Sequence, residues 1–183
     1  MIKIIAPLVA SALPSQEAEG MKRLYVEDTE VSYDRKLKSE AANCHNTNYT
    51  QESYIGNERF AYCSSLESLI IPNEVSSLSD WCFSGDKKLK SMIIPNSIIS
   101  IGIGVFLDCN NISSVIIPTS VISIGNDCFF CCYNLKKIEI PNSVTYLGDG
   151  CFNGCSSLID ITIPKNASCI ENECFCDCSS LTL

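Results

Sequence analysis

The sequence predicts a solenoid of stacked coils, and three periodic columns of residues predict it. Prolines stand at Pro72, Pro95, Pro118, Pro141 and Pro164, each 23 residues after the last. Phenylalanines keep the same step at Phe83, Phe106, Phe129, Phe152 and Phe175. A Leu or Ile follows each Phe by six residues, at Leu89, Ile112, Leu135, Leu158 and Leu181. A fixed period of roughly 20–50 residues is the signature of a repeat architecture. A sixth, degenerate coil precedes these five: Phe60, Cys63 and Leu66 occupy the expected positions, Ile55-Gly56 matches Ile101-Gly102 and Ile124-Gly125, and Tyr49 stands where its proline belongs.

One full unit runs from Ile140 to Thr162, too few residues for a long helix and a strand together. Its most regular part, Leu158-x-x-Ile161-x-Ile163-Pro164, alternates apolar and open positions as a short strand does, and the proline ends it by removing a backbone donor. A second, shorter strand is expected at Val144-x-x-Leu147, closed by Gly148. The Phe-x-x-Cys segment is expected to be a tight turn or single helical turn that plugs the coil interior. A single coil cannot bury its own Ile, Val, Leu, Phe and Cys set, so neighbouring coils must supply the core as continuous ladders. Parallel strands stack at about 4.8 Å, which gives six coils a body on the order of 25–30 Å long.

The consensus L-x-x-I-x-I-P-x-S-V-x-x-I-G-x-x-C-F-x-x-C-S-S-L resembles the BspA-like, treponemal-class leucine-rich-repeat family, in the cysteine-rich version found in parasitic protozoa. The match runs from about Tyr54 to Leu183, with departures at Asp86 and Val105, where the family has Cys, and at Ser79 and Glu171, where it has Gly. The resemblance implies a leucine-rich-repeat solenoid: a parallel β-sheet on the concave face, short strands and turns elsewhere, little helix. It also implies surface-exposed adhesion or attachment by binding host or matrix proteins.

Composition narrows the function classes. With 46% hydrophobic and 19% charged residues the chain is a packed protein, not a disordered one. A net charge of −8 argues against nucleic acid as a partner, since phosphate binding needs clustered Lys and Arg. The thirteen cysteines fall mostly into two columns of the repeat: Cys82, Cys128, Cys151 and Cys174 precede Phe, and Cys63, Cys109, Cys132, Cys155 and Cys178 follow it by three. Such phase-locking points to thiols packed as small hydrophobes. Disulfides between rungs are conceivable at that spacing, but a whole ladder of them strains every coil. Cys131, Cys169 and Cys176 lie off the columns and are the candidates for exposed, reactive thiols.

Cys128-x-x-Cys131 has zinc-like spacing without the second pair that a structural site needs. His45 follows Cys44 with no third group to orient a nucleophile. With no phosphate loop and no nucleophile elbow, the chain is read as non-catalytic, without metal or cofactor.

Residues 1–48 stand apart from the repeat domain, 49–183. They are read as a cap over the first coil, as a cleaved secretory signal (Lys3, the apolar run from Ile4 to Ala10, then Ala10-Ser11-Ala12) or as a leader. No apolar stretch approaches the roughly 18 residues of a spanning helix, so no transmembrane span is expected. Sequons occur at Asn48, Asn111 and Asn166. The sequence stops at Leu181-Thr182-Leu183 inside an expected strand, and an open edge there predicts a homo-oligomer by edge pairing.

In the strand pattern Leu-x-x-Ile-x-Ile the intervening residues face outward in rows. The central row reads Ile70, Ile93, Ile116, Glu139, Thr162, and the next reads Ser68, Ser91, Ser114, Lys137, Asp160. A third reads Glu67, Lys90, Ser113, Lys136, Ile159. Three isoleucines in line are either a contact stripe or the ordinary preference of strands for β-branched residues. On the first reading Ile93 and Ile116 anchor a protein ligand, and Lys137 and Glu139 set its orientation. Two functions follow for such a face: a cell-surface adhesion or recognition protein, or an intracellular scaffold that binds a signalling enzyme such as a phosphatase. Localisation is open between surface and cytoplasm, with a lean to the surface.

Overall fold

The computed structural model describes residues 53–181; the cap, signal and leader readings of residues 1–48, and the end of the expected last strand, lie outside them. Ten short parallel strands carry the chain: β1 (Tyr54–Ile55), β2 (Ser77–Leu78), β3 (Ser91–Ile93), β4 (Ser100–Ile101), β5 (Ser114–Ile116), β6 (Ser123–Ile124), β7 (Lys137–Glu139), β8 (Tyr146–Leu147), β9 (Asp160–Thr162) and β10 (Cys169–Ile170). They form two sheets, a six-stranded one ordered β1-β2-β4-β6-β8-β10 and a four-stranded one ordered β3-β5-β7-β9. Every pairing is parallel and joins residues 23 apart, as in Met92 to Val115 and Ile101 to Ile124. This is the expected solenoid, and no helix occurs among the described residues.

Both expected strands are present in each regular coil. The stretch before proline gives the four-stranded sheet, whose inward residues Met92, Val115 and Ile138 are buried. The stretch before glycine gives the longer, six-stranded sheet, with Ile55, Leu78, Ile101, Ile124 and Leu147 inward. Turns make the corners. The carbonyls of Pro72, Pro95, Pro118, Pro141 and Pro164 each accept the N–H three residues on. Each Phe carbonyl from Phe60 to Phe175 does the same for the residue three after it, so Phe-x-x-Cys is a tight turn, as expected.

That turn drives the phenylalanines into the centre. Phe60, Phe83, Phe106, Phe129, Phe152 and Phe175 stack face to face, with centroids 5.1–5.7 Å apart and ring planes within 16°. Both cysteine columns are buried beside this stack. Of the described cysteines, Cys63 is disulfide-bonded and the other column members are free. The core is therefore mainly a ladder of thiols rather than of bridges.

Twelve residues in the corner before and after Phe have left-handed backbone, and they too form two columns. Glu58, Trp81, Gly104, Asp127, Gly150 and Glu173 make one; Tyr62, Gly85, Asp108, Cys131, Gly154 and Asp177 make the other. Nearly all of those in the first five coils donate their N–H to the next coil, for example Trp81 to Ile103 at 2.7 Å and Cys131 to Asn153 at 2.8 Å. The unusual φ thus satisfies backbone donors at a corner that has no strand. Where such a position holds a large side chain, it covers a glycine one coil on. A Cβ on Gly104 would sit 2.4 Å from Trp81 Cδ1 and would also have to adopt φ near 57°. Gly104→Ala is expected to cost about 1–3 kcal/mol and to shift Trp81 fluorescence, read in a urea titration.

Candidate protein interface

The four-stranded sheet turns one face to the core and the other outward. Strand alternation puts Ser91 and Ile93, Ser114 and Ile116, Lys137 and Glu139, and Asp160 and Thr162 outward, and all eight are exposed. Register aligns them into the predicted rows: Ile93 with Ile116, Ile116 with Glu139, Glu139 with Thr162, and Ser91 with Ser114. Ile70 joins the central row through an isolated parallel bridge to Ile93, but it is only half exposed. The apolar part of the stripe is therefore chiefly Ile93, 66% exposed, and Ile116, 59% exposed.

The charged half of this face is internally paired. Lys137 Nζ lies 3.0 Å from Asp160 and 3.5 Å from Glu139, and the Asp160 carboxylate above all raises the lysine pKa. The sequence rows place these three side by side without showing that the lysine is shared. At the other end Lys90 Nζ pairs with Glu67 at 3.1 Å, again one coil apart. These pairs are solvent-exposed and contribute little to stability. Their effect is to leave the isoleucines as the unneutralised feature of the face.

The six-stranded sheet is the larger one, and its outer surface was not singled out in the sequence. Its outward row is Tyr54, Ser77, Ser100, Ser123, Tyr146 and Cys169. Beside it Ile99 and Ile122 are each 51% exposed. They stand 23 residues apart, so the signal was legible in the same way as Ile93 and Ile116. A shallow polar depression of about 280 Å³ on this sheet is lined by Asn57, Ser77, Asp80, Ser100 and Gly102 among others.

Of the off-column thiols, Cys176 is exposed, while Cys131 and Cys169 are half-buried. Cys169 donates to Glu171 Oε1 at 2.8 Å, and that hydrogen bond raises its pKa, the opposite of activation. Among the described residues no group of three or more His, Cys, Asp or Glu side chains is placed to hold a metal, and no helix is long and apolar enough to cross a membrane. The side-chain amides of Asn111 and Asn166 donate to the Lys87 and Asn142 carbonyls one coil back. The remaining sequon, Asn48, and the Cys44-His45 pair lie outside the described residues.

The BspA type leucine-rich-repeat region matches residues 53–182 in six copies. The chain belongs to that family. The six copies agree with the six coils, including the degenerate first. Among solved structures, a leucine-rich cell surface protein from Faecalibacterium prausnitzii is 30% identical with TM-score 0.61, covering 64% of this chain and 31% of that one. The pneumococcal vaccine antigen PcpA is 27% identical with TM-score 0.55, covering 58% of this chain and 27% of its own. A leucine-rich-repeat protein from Eubacterium ventriosum superposes with TM-score 0.71 over 88% of this chain and 45% of its own, at 24% identity, a likeness of fold. The chain thus spans less than half the length of these three proteins. No curated protein matches the sequence. Leucine-rich-repeat folds are typically non-catalytic and generally bind proteins.

Proposed function

We propose that this BspA-type chain is a protein-binding recognition module whose contact surface is the outer face of the four-stranded sheet. The observation that carries the reading is the side-by-side exposure of Ile93 and Ile116 in register on adjacent strands, bordered by Ser91, Ser114 and the Lys137 cluster. Apolar centres with polar rims are how contact patches on proteins are built. Ile70, Glu139, Thr162 and Asp160 complete the face. Covering an isoleucine contributes about 1.5–3 kcal/mol when its burial is complete. The pair therefore supports roughly tenfold to several-hundredfold in affinity.

We place the module at the cell surface, in adhesion or recognition of host or matrix proteins. The similarity to the Faecalibacterium cell surface protein and to the pneumococcal antigen supports this. An intracellular scaffold is the second reading, favoured by the free cysteines of the core, which suit a reducing compartment. Surface labelling of intact cells separates the two.

The test of the face is adhesion of protein-coated beads to a panel of matrix proteins and to cell monolayers. The double variant Ile93→Ser and Ile116→Ser is expected to lose at least tenfold in binding with its circular dichroism unchanged. Unaltered binding by the double variant would reduce the stripe to a strand preference.

A further inference from the structure

Cysteines one coil apart are not equivalent in this core. In the column after Phe, Cys109, Cys132, Cys155 and Cys178 each donate Sγ–H at 3.1 Å to the carbonyl of Phe83, Phe106, Phe129 and Phe152 respectively. Each of those thiols is aimed at backbone, not at its neighbour in the column. In the column before Phe, Val105 stands between Cys82 and Cys128.

Cys151 and Cys174 differ from all of these. The Cys151 thiol donates to the Cys174 sulfur, and the Phe152 N–H donates to the Cys174 carbonyl at 2.9 Å, which fixes the two backbones one hydrogen-bonded rung apart. Adjacent parallel rungs lie about 4.8 Å apart, inside the roughly 4.4–6.8 Å between Cα atoms that a disulfide requires. Backbone N–H groups of Phe152 and Cys151 also face the Cys174 sulfur. Together with the Cys151 S–H, the largest influence, they hold its pKa below the ordinary thiol range, whereas burial pushes Cys82, Cys109 and Cys132 up. The coil that carries Cys174 is also the more open: Phe175 is only partly buried, while the five phenylalanines before it are at most 1% exposed.

We propose that Cys151 and Cys174 form an oxidation site, at which a hydroperoxide converts the thiol pair into an intrachain disulfide that staples the fifth coil to the sixth. The Cys174 thiolate attacks the peroxide, an S–O bond forms, the O–O bond breaks, and the departing alkoxide or hydroxide leaves protonated. The Cys151 sulfur then displaces the sulfenic oxygen: the S–S bond forms, the S–O bond breaks, and the oxygen leaves as water with the Cys151 proton. The two sulfurs lose two electrons in total, and the peroxide gains them.

The test treats the full chain with graded hydrogen peroxide, blocks remaining thiols and maps the digest without reduction. Cleavage after Lys165 separates the two cysteines. The expected product is a Cys151–Cys174 linked peptide pair lighter by two hydrogens, formed before any other linkage, with the thermal midpoint raised by several degrees and restored by dithiothreitol. Cys151→Val, a residue already accepted at the equivalent Val105, is expected to abolish the link and leave a dimedone-trappable sulfenic acid on Cys174. Cys128→Val is expected to leave the link intact. A first linkage between Cys155 and Cys178, or oxidation confined to Cys169 and Cys176 with Cys151 still alkylatable, overturns the proposal. Because the linked peptide is read in the wild-type chain, the result does not depend on either variant folding.

Discussion

Replacing Phe129 with Ala should cost about 3–5 kcal/mol, the largest loss available from a single truncation in this core. Phe129 is fully buried and has a stacked ring on each side, Phe106 at 5.3 Å and Phe152 at 5.1 Å. Truncation removes apolar area and two aromatic contacts, and it opens a void that the turns above and below are poorly placed to fill. Phe175 has one described ring neighbour, at 5.7 Å, and is only partly buried, so Phe175→Ala should cost about half as much.

The central truncation should also change the form of unfolding. A solenoid holds together through nearest-neighbour contacts, so weakening a middle coil uncouples the coils on either side. Trp81, the single tryptophan, packs on Gly104 and reports the early coils, whereas far-ultraviolet circular dichroism reports them all. In the wild type the two signals should fall together in urea. In Phe129→Ala they should separate, with fluorescence and dichroism midpoints no longer coincident. Coincident midpoints and a loss below about 1 kcal/mol would mean that the stack is not what couples the coils.

Most of this architecture was legible because one number, the 23-residue step, fixes strand register, the proline turns, the Phe stack and the burial of both cysteine columns together. What the step does not encode is how much of each coil becomes sheet. Val144-x-x-Leu147 reads as the minor strand, yet the row it belongs to makes the six-stranded sheet, because Tyr54 and Cys169 extend it by a coil at each end. The left-handed columns were hidden for a different reason. Their positions hold Trp, Tyr, Glu, Asp, Cys and Gly, so no residue type marks them, and only the shared φ reveals that they do the same job. On the candidate face, the rows were readable from alternation. The double pairing of Lys137 was not, since it depends on side chains reaching along one strand and across to the next.

Asp86 shows what happens when one rung departs from its column. It stands where its neighbours are Cys63 and Cys109, and its side chain is completely buried. Oδ1 accepts the Cys63 N–H at 2.6 Å, but Oδ2 has no partner. Burial pushes the Asp86 pKa well above the carboxylate range, and the Cys63 hydrogen bond offsets this only in part. A carboxyl whose folded pKa is raised binds its proton more tightly folded than unfolded. Its contribution is fully present below the unfolded pKa of about 3.9, and it is lost as pH rises toward the folded value. The wild type should therefore lose stability relative to Asp86→Asn as pH rises from about 4. The slope should approach 1.4 kcal/mol per pH unit where the folded carboxyl keeps its proton and the unfolded one does not. Asp86→Asn removes the titration, and Asp86→Cys restores the column, so both should be more stable than wild type at neutral pH. Urea midpoints of the three proteins at intervals from pH 4 to 8 measure the effect. Parallel curves for wild type and Asp86→Asn would show that Asp86 is ionised in the fold, with water reaching Oδ2. Converging curves toward acid would identify a neutral acid held in a thiol column.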